Sequence, residues 1–86
     1  MFKNYGLTLA QCEALLASQG GGCAICGAPI MVMLARSRSG KLHVDHRHSD
    51  GKVRGLLCGQ CNMMLGNARD LPETLRAGAD YLEKAP

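Results

Sequence analysis

Asp45, His46 and His48 stand within four residues of one another, with Arg47 between the histidines and Lys52 and Arg54 just beyond. Asn62 follows Cys61 directly. Those residue types suit phosphodiester hydrolysis, which needs a hard cation to neutralise developing charge, a base to activate water, and positive groups to hold the backbone. The Asp45 carboxylate and the Asn62 amide oxygen are hard donors appropriate to Mg²⁺ or Mn²⁺. His46, with an unperturbed pKa near ~6.5, is the natural general base. A site that only touched phosphate would not need Asp45, because a carboxylate repels phosphate unless a cation lies between them. A non-catalytic, zinc-stabilised DNA-binding module remains the alternative at this point.

The cysteines address how such a cluster is held. Cys23/Cys26 and Cys58/Cys61 form two C-x-x-C pairs, and Cys12 is a fifth, unpaired cysteine. An odd count with two short-spaced pairs reads poorly as an extracellular disulfide framework and well as a metal site in a reducing compartment. Four thiolates around zinc make a closed tetrahedral site with no position left for substrate, so this metal is structural. It would pin the Cys23–Gly27 knuckle to the segment carrying Cys58 and Cys61, and fix Asn62 with it. Folding and zinc binding are then coupled.

Eighty-six residues with one Phe, two Tyr and no Trp offer a small core, which adds weight to the metal staple. The net charge of +3 is unevenly distributed. Residues 36–54 carry Arg36, Arg38, Lys41, Arg47, Lys52 and Arg54 against Asp45 and Asp50, a local +4, together with all three histidines. Residues before and after this centre are near neutral. Such a footprint suits a polyanion, and Arg36, Arg38, Arg47, Lys52 and Arg54 are the candidate backbone contacts, with Ser37 and Ser39 as weaker ones. No cationic leader runs into a long apolar stretch, and no stretch has the length to span a bilayer, so neither export nor membrane insertion is expected and the cytoplasm is the expected compartment.

The positioning elements read as follows. Thr8 and Gln11 form a capping box, and Leu7 and Cys12 stand at staple positions for a helix that buries Leu9, Cys12, Leu15 and Leu16 before Gly20-Gly21-Gly22. Residues 30–35 (IMVMLA) read as a strand, the segment 36–40 as a turn, and 41–44 as a second strand, together a β-hairpin. His43 falls on the face opposite Leu42 and Val44, packed or supporting the site. A helix is expected from near Val53 to Gly66. A last helix is expected to be capped by Asp70, with Glu73 at its third position, Pro72 in its first turn, and Leu71, Leu75, Ala79 and Leu82 as its buried stripe. No repeat or linker interrupts the chain, which reads as a single α+β domain over 1–86.

The ordered elements Gln19-Gly-Gly-Gly-Cys-Ala-Ile-Cys-Gly27, Val44-Asp-His-Arg-His48, Gly51-Lys-Val-Arg-Gly-Leu-Leu-Cys58 and Cys61-Asn62 followed by Leu65-Gly66 resemble the recombination endonuclease VII family of HNH, or ββα-metal, nucleases. The resemblance covers about residues 5–83. It implies a ββα-metal fold with a four-cysteine zinc, flanked by N- and C-terminal helices. It also implies a cation on Asp45 and Asn62, water activation by His46, and His48 at the scissile phosphate or assisting the base. The substrate it implies is double-stranded DNA, nicked or branched forms included, cut to 5′-phosphate and 3′-hydroxyl ends in a phage context. The best-known enzyme of that family resolves branched DNA as an intertwined dimer that uses a long C-terminal extension. This sequence ends soon after Leu82, so a monomer that nicks or cuts with low sequence specificity is the expectation.

Overall fold

A computed structural model describes residues 7–40, 42–47 and 49–85. Its elements are α1 (Leu9–Ser18), α2 (Ile30–Ala35), β1 (His43–His46), β2 (Val53–Leu57), α3 (Gly59–Asn67) and α4 (Pro72–Lys84). The fold is a small α+β arrangement around one two-stranded antiparallel sheet.

The first helix begins where local chemistry dictates. The Thr8 hydroxyl accepts from the Gln11 N–H at 3.1 Å, and the Gln11 side chain accepts from the Thr8 N–H at 2.8 Å. Cys12 is buried, as a member of the apolar stripe should be, but Leu9 is exposed and does not belong to that stripe. Gly20 and Gly21 both take positive φ and end the helix.

Gln19, at the end of α1, supplies a link that the sequence reading missed. Its Oε1 accepts from the Leu56 N–H at 2.8 Å, and its Nε2 donates to the carbonyls of Leu56 at 3.0 Å and Gly22 at 2.9 Å. One amide thus meets the outer edge of β2 as a neighbouring strand would.

The expected hairpin is displaced. Residues 30–35 form α2, with Pro29 as N-cap, instead of a strand. A six-residue apolar run has no period to decide the matter, and Met, Leu and Ala favour a helix. The hairpin joins β1 to β2 around residues 47–52. Its register pairs His43 with Leu57, Val44 with Leu56, and Asp45 with Gly55. The helix expected from Val53 therefore starts only at Gly59, because Val53–Leu57 is held in the sheet. Cys58 caps α3, its Sγ accepting from the Cys61 N–H at 3.5 Å.

The core is Met33, Val44, Leu56 and Leu57 packed with Cys23, Cys58 and Cys61. Nothing in α4 is buried: Leu71 is 43% and Leu82 72% exposed, which corrects the expected buried stripe. Its cap is also corrected. Leu71 occupies the N-cap position with no side-chain cap bond, because Asp70 is turned toward Arg54 instead.

Candidate functional site

The four paired cysteines converge. Their sulfurs lie within 4.8 Å of one another, with Cys26 and Cys58 Sγ 3.8 Å apart. A tetrahedron of Zn–S bonds has S···S edges of about 3.8 Å, so the donor set fits zinc in number, softness and spacing. The knuckle that presents Cys23 and Cys26 is closed by Cys23 N–H to the Ala28 carbonyl at 2.8 Å and Gly27 N–H to the Cys23 carbonyl at 3.1 Å, with Gly27 at φ 77°. Gly22 lies against the Ala28 carbonyl, too close for any side chain.

The surroundings favour thiolate. Burial opposes ionisation of Cys23, but N–H donors from Cys58, Cys26 and Ile25 outweigh it and lower the thiol to about 6. Cys58 is lowered too, against burial, by the Cys61 N–H and by Arg36. Cys61 is pushed up by burial and by the neighbouring sulfurs. Arg36 Nη1 donates to Cys26 and Cys58 Sγ, both at 3.7 Å, so the guanidinium lies against the staple and partly offsets its negative charge.

The same turn forms one wall of a cleft of roughly 450 Å³ between residues 36–39, the start of β1 and α3. Arg36, Ser37, Arg38, Ser39, His43 and Asn62 line it. Ser37 and Ser39 hydroxyls sit 3.1 Å apart. Asn62 is delivered by the first turns of α3, one residue after a zinc-site cysteine, as the spacing anticipated. His43 stands in this wall too, in keeping with the expectation that it packs or supports the site; two residues before Asp45 on a strand, it shares the aspartate's face.

Among the described residues neither Asp45 nor His46 lines that cleft. Asp45 forms a bidentate pair with Arg54, Nε to Oδ2 at 2.8 Å and Nη2 to Oδ1 at 2.9 Å. Arg54 Nη2 also reaches Asp70 Oδ2 at 3.2 Å. His46 is half-buried at the end of β1 opposite Val53. Arg47 pairs with Asp50 at 3.4 Å on the surface. Lys52 is exposed, and its backbone N–H donates to Asp50 Oδ1 at 3.0 Å. His48 lies outside the described residues, as does Lys41. Along β1, His43 lines the cleft with Asn62, and Asp45 is held by Arg54, which also reaches Asp70. His43 and Asp45 are about 6–7 Å apart along the strand.

A strand–strand–helix unit beside four converging cysteine sulfurs that fit a zinc site defines a small α+β domain. The sequence model for recombination endonuclease VII matches residues 1–84, and the chain belongs to that family. It is 45% identical over its whole length to the "Gene 59 protein" of Mycobacterium phage D29 and 40% identical to the protein of the same name from Mycobacterium phage L5. The chain spans 49% of each of these relatives, so the point at which this sequence ends carries no argument about oligomeric state. No solved structure matches it. Among the described residues, no helix is long and apolar enough to cross a membrane.

Proposed function

We propose that the domain is a metal-dependent DNA endonuclease of the HNH type, acting on double-stranded DNA with low sequence specificity. The observation that carries this reading is the meeting of β1, which bears Asp45 and His46, with the zinc-anchored α3 that bears Asn62, beside a cleft lined by arginines and serines. Asp45 and Asn62 are the residues that would hold Mg²⁺ or Mn²⁺. The donor chemistry fits: both are hard oxygens, and the Asp45 carboxylate already presents both oxygens to a positive charge. Such a cation supplies charge neutralisation at the phosphate oxygens and the leaving group.

His46 takes the proton from the attacking water, with His48 at the phosphate or assisting. Arg38 and Arg36 orient the backbone from the cleft wall, while Arg47 and Lys52 do so from the hairpin loop; such contacts position DNA without reading it. Products carry 5′-phosphate and 3′-hydroxyl ends. A host-cell cytoplasmic setting completes the reading, with branched-DNA cleavage following if two copies associate. The test is supercoiled plasmid with zinc-loaded protein, with and without Mg²⁺ or Mn²⁺. Cation-dependent conversion to open-circular or linear DNA is expected.

One observation favours the binding-only alternative. The Arg54 pair satisfies Asp45 without any catalytic task. Salt-sensitive DNA binding with no cleavage under any cation would select that alternative.

A further inference from the structure

The ladder between β1 and β2 is irregular at one place. Asp45 faces Gly55 and His46 faces Val53, so one residue of β1 is passed while two of β2 are, and Arg54 is the extra residue. In an unbroken ladder Arg54 would lie opposite His46 and share the face of Val44 and Leu56. The bulge releases it from that pairing, and its side chain reaches Asp45 across the strand. Bulges beside active sites commonly re-aim a side chain in this way.

The second carboxylate on this guanidinium comes from the turn after α3. There Arg69 and Asp70 both take left-handed backbone, φ 57° and 58°. Two consecutive non-glycine residues in that region are uncommon and persist where surroundings hold them. The turn places Asp70 Oδ2 on the same Nη2 that holds Asp45 Oδ1. Asp45 and Asp70 are only 13% and 18% exposed, while Arg54 is 33% exposed. The guanidinium therefore straddles two shielded carboxylates, and each can hold it when the other is engaged.

Resting on the reading of Asp45 as a cation ligand, we infer that Arg54 and Asp70 are positioning residues of the cation site: Arg54 is the exchangeable counter-ion of Asp45, and Asp70 retains the guanidinium when a divalent cation takes the carboxylate. The two positive groups compete for one carboxylate, since a guanidinium bound through Nε and Nη2 occupies both oxygens. Asp70 lowers the cost of that exchange by keeping Arg54 paired. No bond is made or broken in the exchange.

Two variants should shift divalent-cation binding in opposite directions. Arg54→Gln removes the competitor and should tighten divalent-cation binding by at least about threefold. Asp70→Asn removes the alternative acceptor and should weaken it by a similar factor. A clamp that served structure alone would loosen the site in both variants and weaken both. Arg54 acting as a DNA contact would leave cation binding unchanged and lower DNA affinity, with a salt slope reduced by about one.

The experiment titrates zinc-loaded protein with Mn²⁺ and follows free Mn²⁺ by electron paramagnetic resonance, without DNA. Parent, Arg54→Gln, Arg54→Lys, Asp70→Asn and Asp45→Ala proteins are compared, each checked for zinc content and a cooperative melt. Tighter binding in R54Q, intermediate binding in R54K, weaker binding in D70N and loss in D45A support the exchange. Unchanged or weaker binding in R54Q, or unchanged or tighter binding in D70N, overturns it. Plasmid cleavage separates the two claims. If the parent cuts DNA while R54Q binds Mn²⁺ as the parent does, the exchange alone falls. If no protein binds Mn²⁺ and the parent does not cut, the nuclease reading falls and the exchange with it.

Discussion

Replacing Cys58 with serine tests how much of this fold the metal holds. Cys58 is fully buried, caps α3 through its sulfur, and stands 3.8 Å from Cys26 Sγ. The buried aliphatic side chains of the core cluster are Met33, Val44, Leu56 and Leu57. At ~1.5–3 kcal/mol each they contribute roughly 6–12 kcal/mol before any ordering cost is set against them. A structural zinc site of this kind contributes about 10–16 kcal/mol, as much as that core. Net stabilities of small domains are only about 5–15 kcal/mol, so losing a contribution of about 10–16 kcal/mol would remove most or all of the margin. Cys58→Ser should therefore hold less than stoichiometric zinc and lose its cooperative transition near room temperature. Circular-dichroism melting paired with metal analysis of the same sample reads both quantities. A variant that holds no zinc yet melts cooperatively within a few degrees of the parent would refute the reasoning, because it would show the aliphatic core to be sufficient.

The other predictions concern the staple's neighbours. Gln19→Leu leaves the Leu56 N–H without its partner, a loss of about 1–3 kcal/mol, and should lower the melting temperature of zinc-loaded protein by roughly 5–20 °C; an unchanged melt would mean that the Gln19 bonds contribute nothing net. Zinc affinity should depend on pH with a defined sign. The thiolate is the ligand, Cys23 is held to about 6, and Cys61 is pushed up, so protons compete chiefly at Cys61 near neutrality. Affinity should rise from about pH 6 to about pH 8 in competition with a chromophoric chelator, and a flat profile would contradict the assignment of the four cysteines as ligands.

What the sequence revealed and what it hid follow from the range of each interaction. The Thr8–Gln11 box and the Cys23–Gly27 knuckle are closed by residues a few positions apart, so spacing alone identifies them. The candidate zinc site brings together Cys23 and Cys58, 35 residues apart, but thiol chemistry makes its members recognisable at any separation. The strands were harder. Ile30–Ala35 and Val53–Leu57 are both short apolar runs, and only pairing across the 47–52 loop, a tertiary fact, makes the second a strand and leaves the first to coil into α2. Asp70 matches a helix cap by position and loses that role to Arg54, a competitor from another element. The stripe of α4 carries the right period for burial, yet none of the helix's residues is buried.

At the candidate site, the spacing put Asn62 on the helix that follows Cys61, but the strand expected over 41–44 left Asp45 and His46 in a loop, whereas both lie in β1; the pairing of Arg54 with two carboxylates depended on a bulge that no periodicity announces. Gln19 escaped notice for a related reason. A glutamine at a helix end has many uses, and its partner, the edge of Leu56, is known only once β2 exists.

Metal-dependent nuclease activity stands or falls on supercoiled-plasmid cleavage with zinc-loaded parent, Asp45→Ala and His46→Ala proteins side by side, in Mg²⁺ or Mn²⁺ and in neither. The variants replace a chelator control, which would also strip the structural zinc. The account predicts that the parent nicks or linearises the plasmid only with the cation, and that both variants keep their zinc and their melt while cleavage is lost. Cleavage by His46→Ala at the parent's rate, or a zinc-loaded parent that binds DNA in a salt-sensitive manner and leaves it intact, would contradict it.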